Sequence, residues 1–346
     1  MPEEEEDTGP TFEDLTIDDS LPDVKRIERY SSSPIALQRL MHVKMIASTA
    51  GSCGFDETRT ILIPVLESML SDDEFVVRQH LALQYPAVAK VCATHGDLGY
   101  SLLLEAVLPQ LARLVTDPHA EVRAAASNAV VDVAAYIRQD DLGAHVLTVV
   151  LQMAEVEQEE LRMCAAQLLN QLAPLLGAEN CSFFVQPVVD VLSGDPVFRV
   201  RKAVALHLSH LCRASDSEDM LAKLLTAFER LARDDIWGVR KACAESIVDM
   251  AKAVNDSIRT SRLIPLTLAL AHDSSKWVRH AMHQHLGALL ATLRSEDVDM
   301  QLLAHFVAMG GPDAVAVFER DNAKALQAAV ARGGVGVRGG AGGHGS

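Results

Sequence analysis

Histidine, cysteine and paired carboxylates are the side chains here with chemistry to offer, and their spacing decides which chemistry. His207 and His210, with Cys212 nearby, sit at helical spacing, as do His280, His283 and His285. Zinc needs three or four convergent ligands, and the His-Glu-x-x-His helix motif does not occur. No His-Glu dipeptide occurs at all, which disfavours the iron-binding hydroxylases built on helical repeats. The six cysteines, at positions 53, 92, 164, 181, 212 and 243, include no Cys-x-x-Cys pair and suit reduced thiols. None has an activating motif beside it. Gly-rich phosphate loops ahead of a helix are missing, and the glycine run from Gly334 follows no strand. The acidic pairs Asp72-Asp73 and Asp234-Asp235 imitate catalytic carboxylates, but they stand where helices begin and read as caps favoured by the helix dipole. The expectation is a protein without catalytic residues, metal or cofactor.

What positions these residues is a repeat. Arg78, Arg123, Arg162, Arg201, Arg240 and Arg279 are spaced 45, 39, 39, 39 and 39 residues, and Arg39 lies 39 before Arg78. A fixed period near 40 residues marks a stacked helical array. The single long interval holds Ala93–Tyr100, read as a loop insertion. One residue before each arginine stands Val77, Val122, Leu161, Val200, Val239 or Val278; nine before stands Met69, Leu114, Met153, Leu192, Leu231 or Leu270. Fourteen before, Pro64, Pro109, Pro187 and Pro265 recur. After the arginine, sets such as Val204/Leu208/Leu211 and Cys243/Ile247/Met250 step by four and three along one helical stripe. Each unit is therefore a leading helix with its proline, a short turn, and a trailing helix with its arginine.

Aspartate stands six before the arginine at Asp72, Asp117, Asp195, Asp234 and Asp273. In Asp117-Pro118 and Asp195-Pro196 it reads as an N-cap before a proline at the first helical position. Six helical steps leave the two side chains about 120° apart, so pairing within one helix is poor. Pairing between adjacent repeats is the natural alternative. It predicts a ladder built from Asp72, Arg78, Asp117, Arg123, Asp195, Arg201, Asp234, Arg240, Asp273 and Arg279. Val156 replaces the aspartate in the unit of Arg162, so one rung should be missing there.

The turns carry the remaining signal. The only two tryptophans, Trp237 and Trp277, fall at turns of consecutive repeats. With Phe198, Arg199, Asp235 and Lys276 they form a candidate binding edge, since aromatic and arginine side chains make good anchors. The residues alone leave a second reading open, in which each ring packs on the neighbouring turn and stabilises the stack.

Composition narrows the classes. Of 346 residues 49% are hydrophobic and 4% aromatic, so small and aliphatic side chains must fill the core. A formal charge of −16 without a basic stripe argues against nucleic acid. No apolar run approaches the roughly 18–20 residues that span a bilayer, and an acidic N-terminus is unlike a signal peptide. A cytoplasmic protein, with the nucleus as a further location, is expected. By segment, 1–24 reads as an acidic disordered arm, 25–295 as the repeat array, 296–331 as capping helices, and 332–346 as a Gly-rich disordered tail.

Paired helices at this period, with Pro in the first and Asp and Val-Arg at the second, resemble HEAT repeats over roughly residues 30–295. Ser33–Arg39 (SPIALQR), Asp234–Glu245 (DDIWGVRKACAE) and Asp273–Arg279 (DSSKWVR) resemble regulatory subunit 1 of protein phosphatase 4. The scaffold subunit of protein phosphatase 2A has related turns. Members of the first family usually carry a long polar insert and a second block of repeats, neither of which occurs here. The resemblance implies a right-handed all-α solenoid of about six to seven helix pairs. It also implies a non-catalytic subunit whose turn ridge holds a serine/threonine phosphatase catalytic subunit and presents its substrates. The alternative is a helical-repeat adaptor for transport or complex assembly that binds basic peptides.

Overall fold

The computed structural model describes residues 16–215, 217–294 and 297–309; every regular element among them is helical, and no strand occurs. The trailing helices are Ala36–Val43, Phe75–Ala82, Ala120–Ala134, Glu159–Asn180 (broken at Gly177, where φ is positive), Phe198–Ala214, Trp237–Ala253 and Lys276–Leu290. Each begins three residues before its ruler arginine. Ahead of them stand the leading helices, of which Ile63–Met69, Leu108–Val115, Gln186–Leu192 and Ile264–Ala271 carry proline at the second position. Proline offers no N–H and its ring crowds the carbonyl four residues back. A widened π-turn precedes each of these four segments: Thr58–Leu62, Leu103–Val107, Cys181–Val185 and Arg259–Leu263. Such a turn shifts the hydrogen-bond register at the point where proline would collide. Gly143–Leu147 widens in the same way without proline, and there the Thr148 hydroxyl donates to the Gly143 carbonyl at 3.1 Å.

The periodic columns form the core. Met69, Leu114, Met153, Leu192, Leu231 and Leu270 are all at most 3% exposed. Val204, Leu208 and Leu211, then Cys243, Ile247 and Met250, then Met282, Leu286 and Leu289 are buried in the same register. Each such side chain contributes about 1.5–3 kcal/mol on burial, so the stripe supplies most of the drive to stack. The described residues form an all-α array of repeated helix pairs. It divides into two compact units, residues 1–204 with 214–220 and residues 205–213 with 221–346.

Several elements differ from the sequence reading. Ala93–Tyr100 is not a loop: after Thr94 and His95 the chain is helical again from Gly96. The six extra residues lengthen helices, because helix satisfies backbone groups that an excursion would expose. The resulting helix Gly96–Val115 has 20 residues and a mean hydropathy of 1.3, enough by length and composition to cross a membrane. Its Leu103, Val107, Leu108, Leu111, Leu114 and Val115 are buried within the protein, as in a core helix. Asp18, Asp19 and Asp23 of the predicted acidic arm are also engaged. Arg26 reaches Asp19 at 2.7 Å and Asp23 at 2.5 Å, and Asp18 N–H donates to the Tyr30 hydroxyl. Of the arm, residues 1–15 lie outside the described residues, as do the Gly-rich tail and the second capping segment, Ala314–Ala331. The first capping segment is the helix Met300–Ala308, which buries Leu302 against Ile264 and Leu286.

Candidate protein-binding edge

The turn between paired helices is held by two interlocked devices. Aspartate does not cap the trailing helix, as the sequence reading had it; the helix starts three residues later, with an extended residue such as His119, Ile236 or Ser275 at its N-cap. The carboxylate instead accepts from the backbone N–H two residues on: Asp72 from Glu74, Asp117 from His119, Asp195 from Val197, Asp234 from Ile236 and Asp273 from Ser275. These are Asx-turns, and Pro118 and Pro196 lie inside them rather than in a helix. The arginine then reaches back over its own turn. Arg123 Nη1 donates to the carbonyls of Asp117 and Pro118 at 2.7 and 2.8 Å, and Arg78, Arg162, Arg201, Arg240 and Arg279 do the same at their turns.

The other edge of the guanidinium serves the next repeat. Arg39 Nε and Nη2 reach Asp72 at 2.6 and 2.9 Å, and Arg78 reaches Asp117 at 2.7 and 3.1 Å. Arg162 reaches Asp195 at 2.7 and 3.1 Å, and Arg240 reaches Asp273 at 2.6 and 2.9 Å. Each is a two-pronged, charge-assisted contact. The Arg78 and Asp117 side chains are only 9% and 6% exposed. Burial, the largest single influence, would raise the Asp117 carboxyl, but the Arg78 bonds and charge together with the His119 N–H bond hold the group below its ordinary value; Asp273 follows the same pattern with Arg240 and the Ser275 N–H. Arg78 is raised in turn, chiefly by its hydrogen bonds to Asp117. At Val156 there is no carboxylate, and among the described residues Arg123 meets no acidic partner.

On the outside of this frame lie the candidate anchors. Trp237 opens its trailing helix at 48% exposure, and Trp277 is the second residue of the next trailing helix at 52%. Lys276 lies over the Trp277 ring, 5.0 Å from its centre. Asp235 is exposed beside Ile236, an exposed aliphatic neighbour of Trp237 that sequence reasoning did not single out. Phe198 is 39% exposed. Arg199 is already engaged, its guanidinium bonded to Glu159 of the preceding repeat and near the Phe198 ring. That pairing was invisible in the ruler alignment, which placed the two residues in different columns. Within the first unit, Phe75 stacks flat on His119 with centres 4.8 Å apart.

The histidines arrange differently from a metal centre. His207 and His210 rings are 6.3 Å apart, and Cys212 is buried, its thiol pushed up to about 12 by desolvation. Cys243 is wholly buried in the core stripe and is also raised by desolvation. His283 meets His305 of the Met300–Ala308 helix, Nε2 to Nε2 at 2.8 Å, a partner outside the sequence cluster of His280, His283 and His285. Among the described residues no group of three histidine, cysteine or acidic side chains is placed to hold a metal ion.

Comparison with known proteins agrees with this geometry. The HEAT repeat model matches residues 107–137, the Leu108–Val115 and Ala120–Ala134 pair. No curated protein sequence matches the chain. Among solved structures, Kap95p, bound to RanGDP, aligns with a TM-score of 0.63 at 12% identity, covering 88% of this chain and 38% of its own. The karyopherin Kap121p, bound to the extreme C-terminus of the protein phosphatase Cdc14p, aligns at 0.60 and 15% identity, covering 89% and 35%. Cex1p aligns at 0.50 and 12% identity, covering 79% and 53%. At these identities the likeness is one of fold, and the chain spans little more than a third of the length of the karyopherins.

Proposed function

We propose that the chain is a non-catalytic protein-binding scaffold. Its turn edge, centred on Trp237 and Trp277, docks a serine/threonine phosphatase catalytic subunit of the protein phosphatase 4 or 2A type. The observation that carries the reading is the half-exposure of both tryptophans at the starts of adjacent trailing helices, beside exposed Ile236. A ring that served only the stack would be buried by it, and large exposed aromatics on a rigid frame are what binding surfaces use. The choice of partner follows from the resemblance of the DDIWGVRKACAE and DSSKWVR turns. The mechanism is positioning: the array holds the enzyme and presents substrates, in the cytoplasm and nucleus.

The test is affinity purification of the tagged chain from its own cells, as wild type and as W237A/W277A. A phosphatase catalytic subunit should be the main wild-type partner and fall at least ten-fold in the double variant, with helical circular dichroism unchanged. Equal recovery from both proteins would remove the assignment. A second reading, a transport or assembly adaptor for basic peptides, draws on the karyopherin-like fold and on 47 acidic against 31 basic residues. It predicts partners released by moderate salt, because exposed charge pairing is screened within about 8–10 Å.

A further inference from the structure

The missing rung leaves a formed receptor behind. At four turns the Nε and Nη2 edge of the ladder arginine holds a carboxylate of the next repeat, with contacts of 2.6–2.7 Å and 2.9–3.1 Å. Arg123 is fixed in the same way by its Nη1 bonds to Asp117 and Pro118, so its rotamer does not depend on the absent partner. The backbone opposite is also in register. The Val156 carbonyl accepts from Arg162 Nη1 at 2.9 Å, as the Asp195 carbonyl accepts from Arg201. Only the carboxylate is missing. A cleft of about 560 Å³ opens at this place, lined by Asp117, Pro118, Arg123, Gln158, Glu160 and Leu161.

We propose that this cleft is a carboxylate-binding site, and that the acidic side chain of a partner protein completes the rung from outside by a two-pronged contact with Arg123 Nε and Nη2. The ligand class follows from the four filled rungs, which show what this guanidinium edge binds. A planar carboxylate matches the fork in geometry as well as charge. Charge selects against a phosphate. Asp117 is neutralised by Arg78 and Glu159 by Arg199, but Glu160 lines the cleft and Glu157 stands near it in sequence, so a dianion meets about twice the repulsion of a single carboxylate. Preorganisation lowers the cost of binding, since the arginine is already ordered. The proposal does not require the phosphatase reading, because the site lies at a different turn from either tryptophan.

The test follows the Arg123 Nε–H signal by NMR in the full chain, assigned by its loss in R123K. The probes are the capped tripeptide Gly-Asp-Gly, its Gly-Asn-Gly counterpart, and acetate. The aspartate peptide should shift the Arg123 signal saturably while the signals of Arg78, Arg162 and Arg240 stay in place; the asparagine peptide should do nothing. Val156→Asp supplies the rung internally and should reduce the response at least ten-fold, whereas Glu160→Gln should strengthen binding several-fold. No shift with the aspartate peptide, an equal shift with the asparagine peptide, or a full response in V156D would overturn the site. Acetate shifting the signal while the aspartate peptide does not would overturn its assignment to a protein side chain.

Discussion

The turn at Arg78 and the turn at Arg123 are built on the same plan and differ in what the following repeat offers: Asp117 and His119 reach Arg78, whereas Val156 and Gln158 stand at those positions for Arg123. Arg78 meets Asp117 and both are nearly buried; Arg123 meets the position of Val156 and finds no carboxylate. In both cases Nη1 holds the local turn, so each repeat's own fold is independent of the rung. The rung is a second layer, coupling one repeat to the next. In a solenoid, stability is roughly the sum of such unit and interface contributions. Losing one rung therefore weakens one interface without unfolding a repeat, and frees its donors for another use.

That contrast can be broken from the filled side. Asp117→Ala should be the most damaging change, at about 3–5 kcal/mol, because it leaves the buried Arg78 guanidinium without its counter-charge. Thermal denaturation should show it, and hydrogen exchange should locate the loss at the turns of residues 72–78 and 117–123. Lowering the pH acts in the same direction. The Asp117 carboxyl is held below its ordinary value of 3.8, so its contribution is complete above that pH and is lost as pH falls through the lower folded-state value. Hydrogen exchange across that range should loosen the Arg78–Asp117 interface, while the Arg123–Val156 interface has no rung to lose. Arg123→Ala removes only the two turn bonds and should cost less, about 1–2 kcal/mol. Val156→Asp should be the smallest effect and of opposite sign, a gain of about 0.5–1 kcal/mol with slower exchange across residues 156–158. A loss from V156D comparable to that of D117A would mean that the two turns are not equivalent frames.

The same comparison shows what can be read without a structure. The Asp-to-Arg interval of six and the period of 39 are local facts, and they led to pairing between repeats; the supporting premise of six helical steps did not hold, because only the last three of those steps lie in the helix. The column of Met69, Leu114 and Leu231 follows from the same register, and the buried stripe of Val204, Leu208 and Leu211 from 3.6-residue periodicity. The role of aspartate in the turn was less legible. An Asp-Pro pair signals a helix start or an Asx-turn equally well, and the carboxylate chose the turn. The Arg199–Glu159 bond and the His283–His305 contact were hidden, because each joins residues that no single column relates.

By itself the sequence determined the helical class, the repeat length, the buried stripe and the places where a rung could or could not form. These are encoded in spacing along one chain, where each residue's face follows from counting. Only the tertiary structure decided which side chains remain accessible once the helices stack. It placed Trp237 and Trp277 half in solvent, tied Arg199 to a neighbour, and made Gly96–Val115 a core helix despite its apolar length. It also left Arg123 held by its own turn, in the lining of a cleft. Exposure and unmet hydrogen bonds depend on what the neighbouring repeat brings, and that is settled by packing rather than by period.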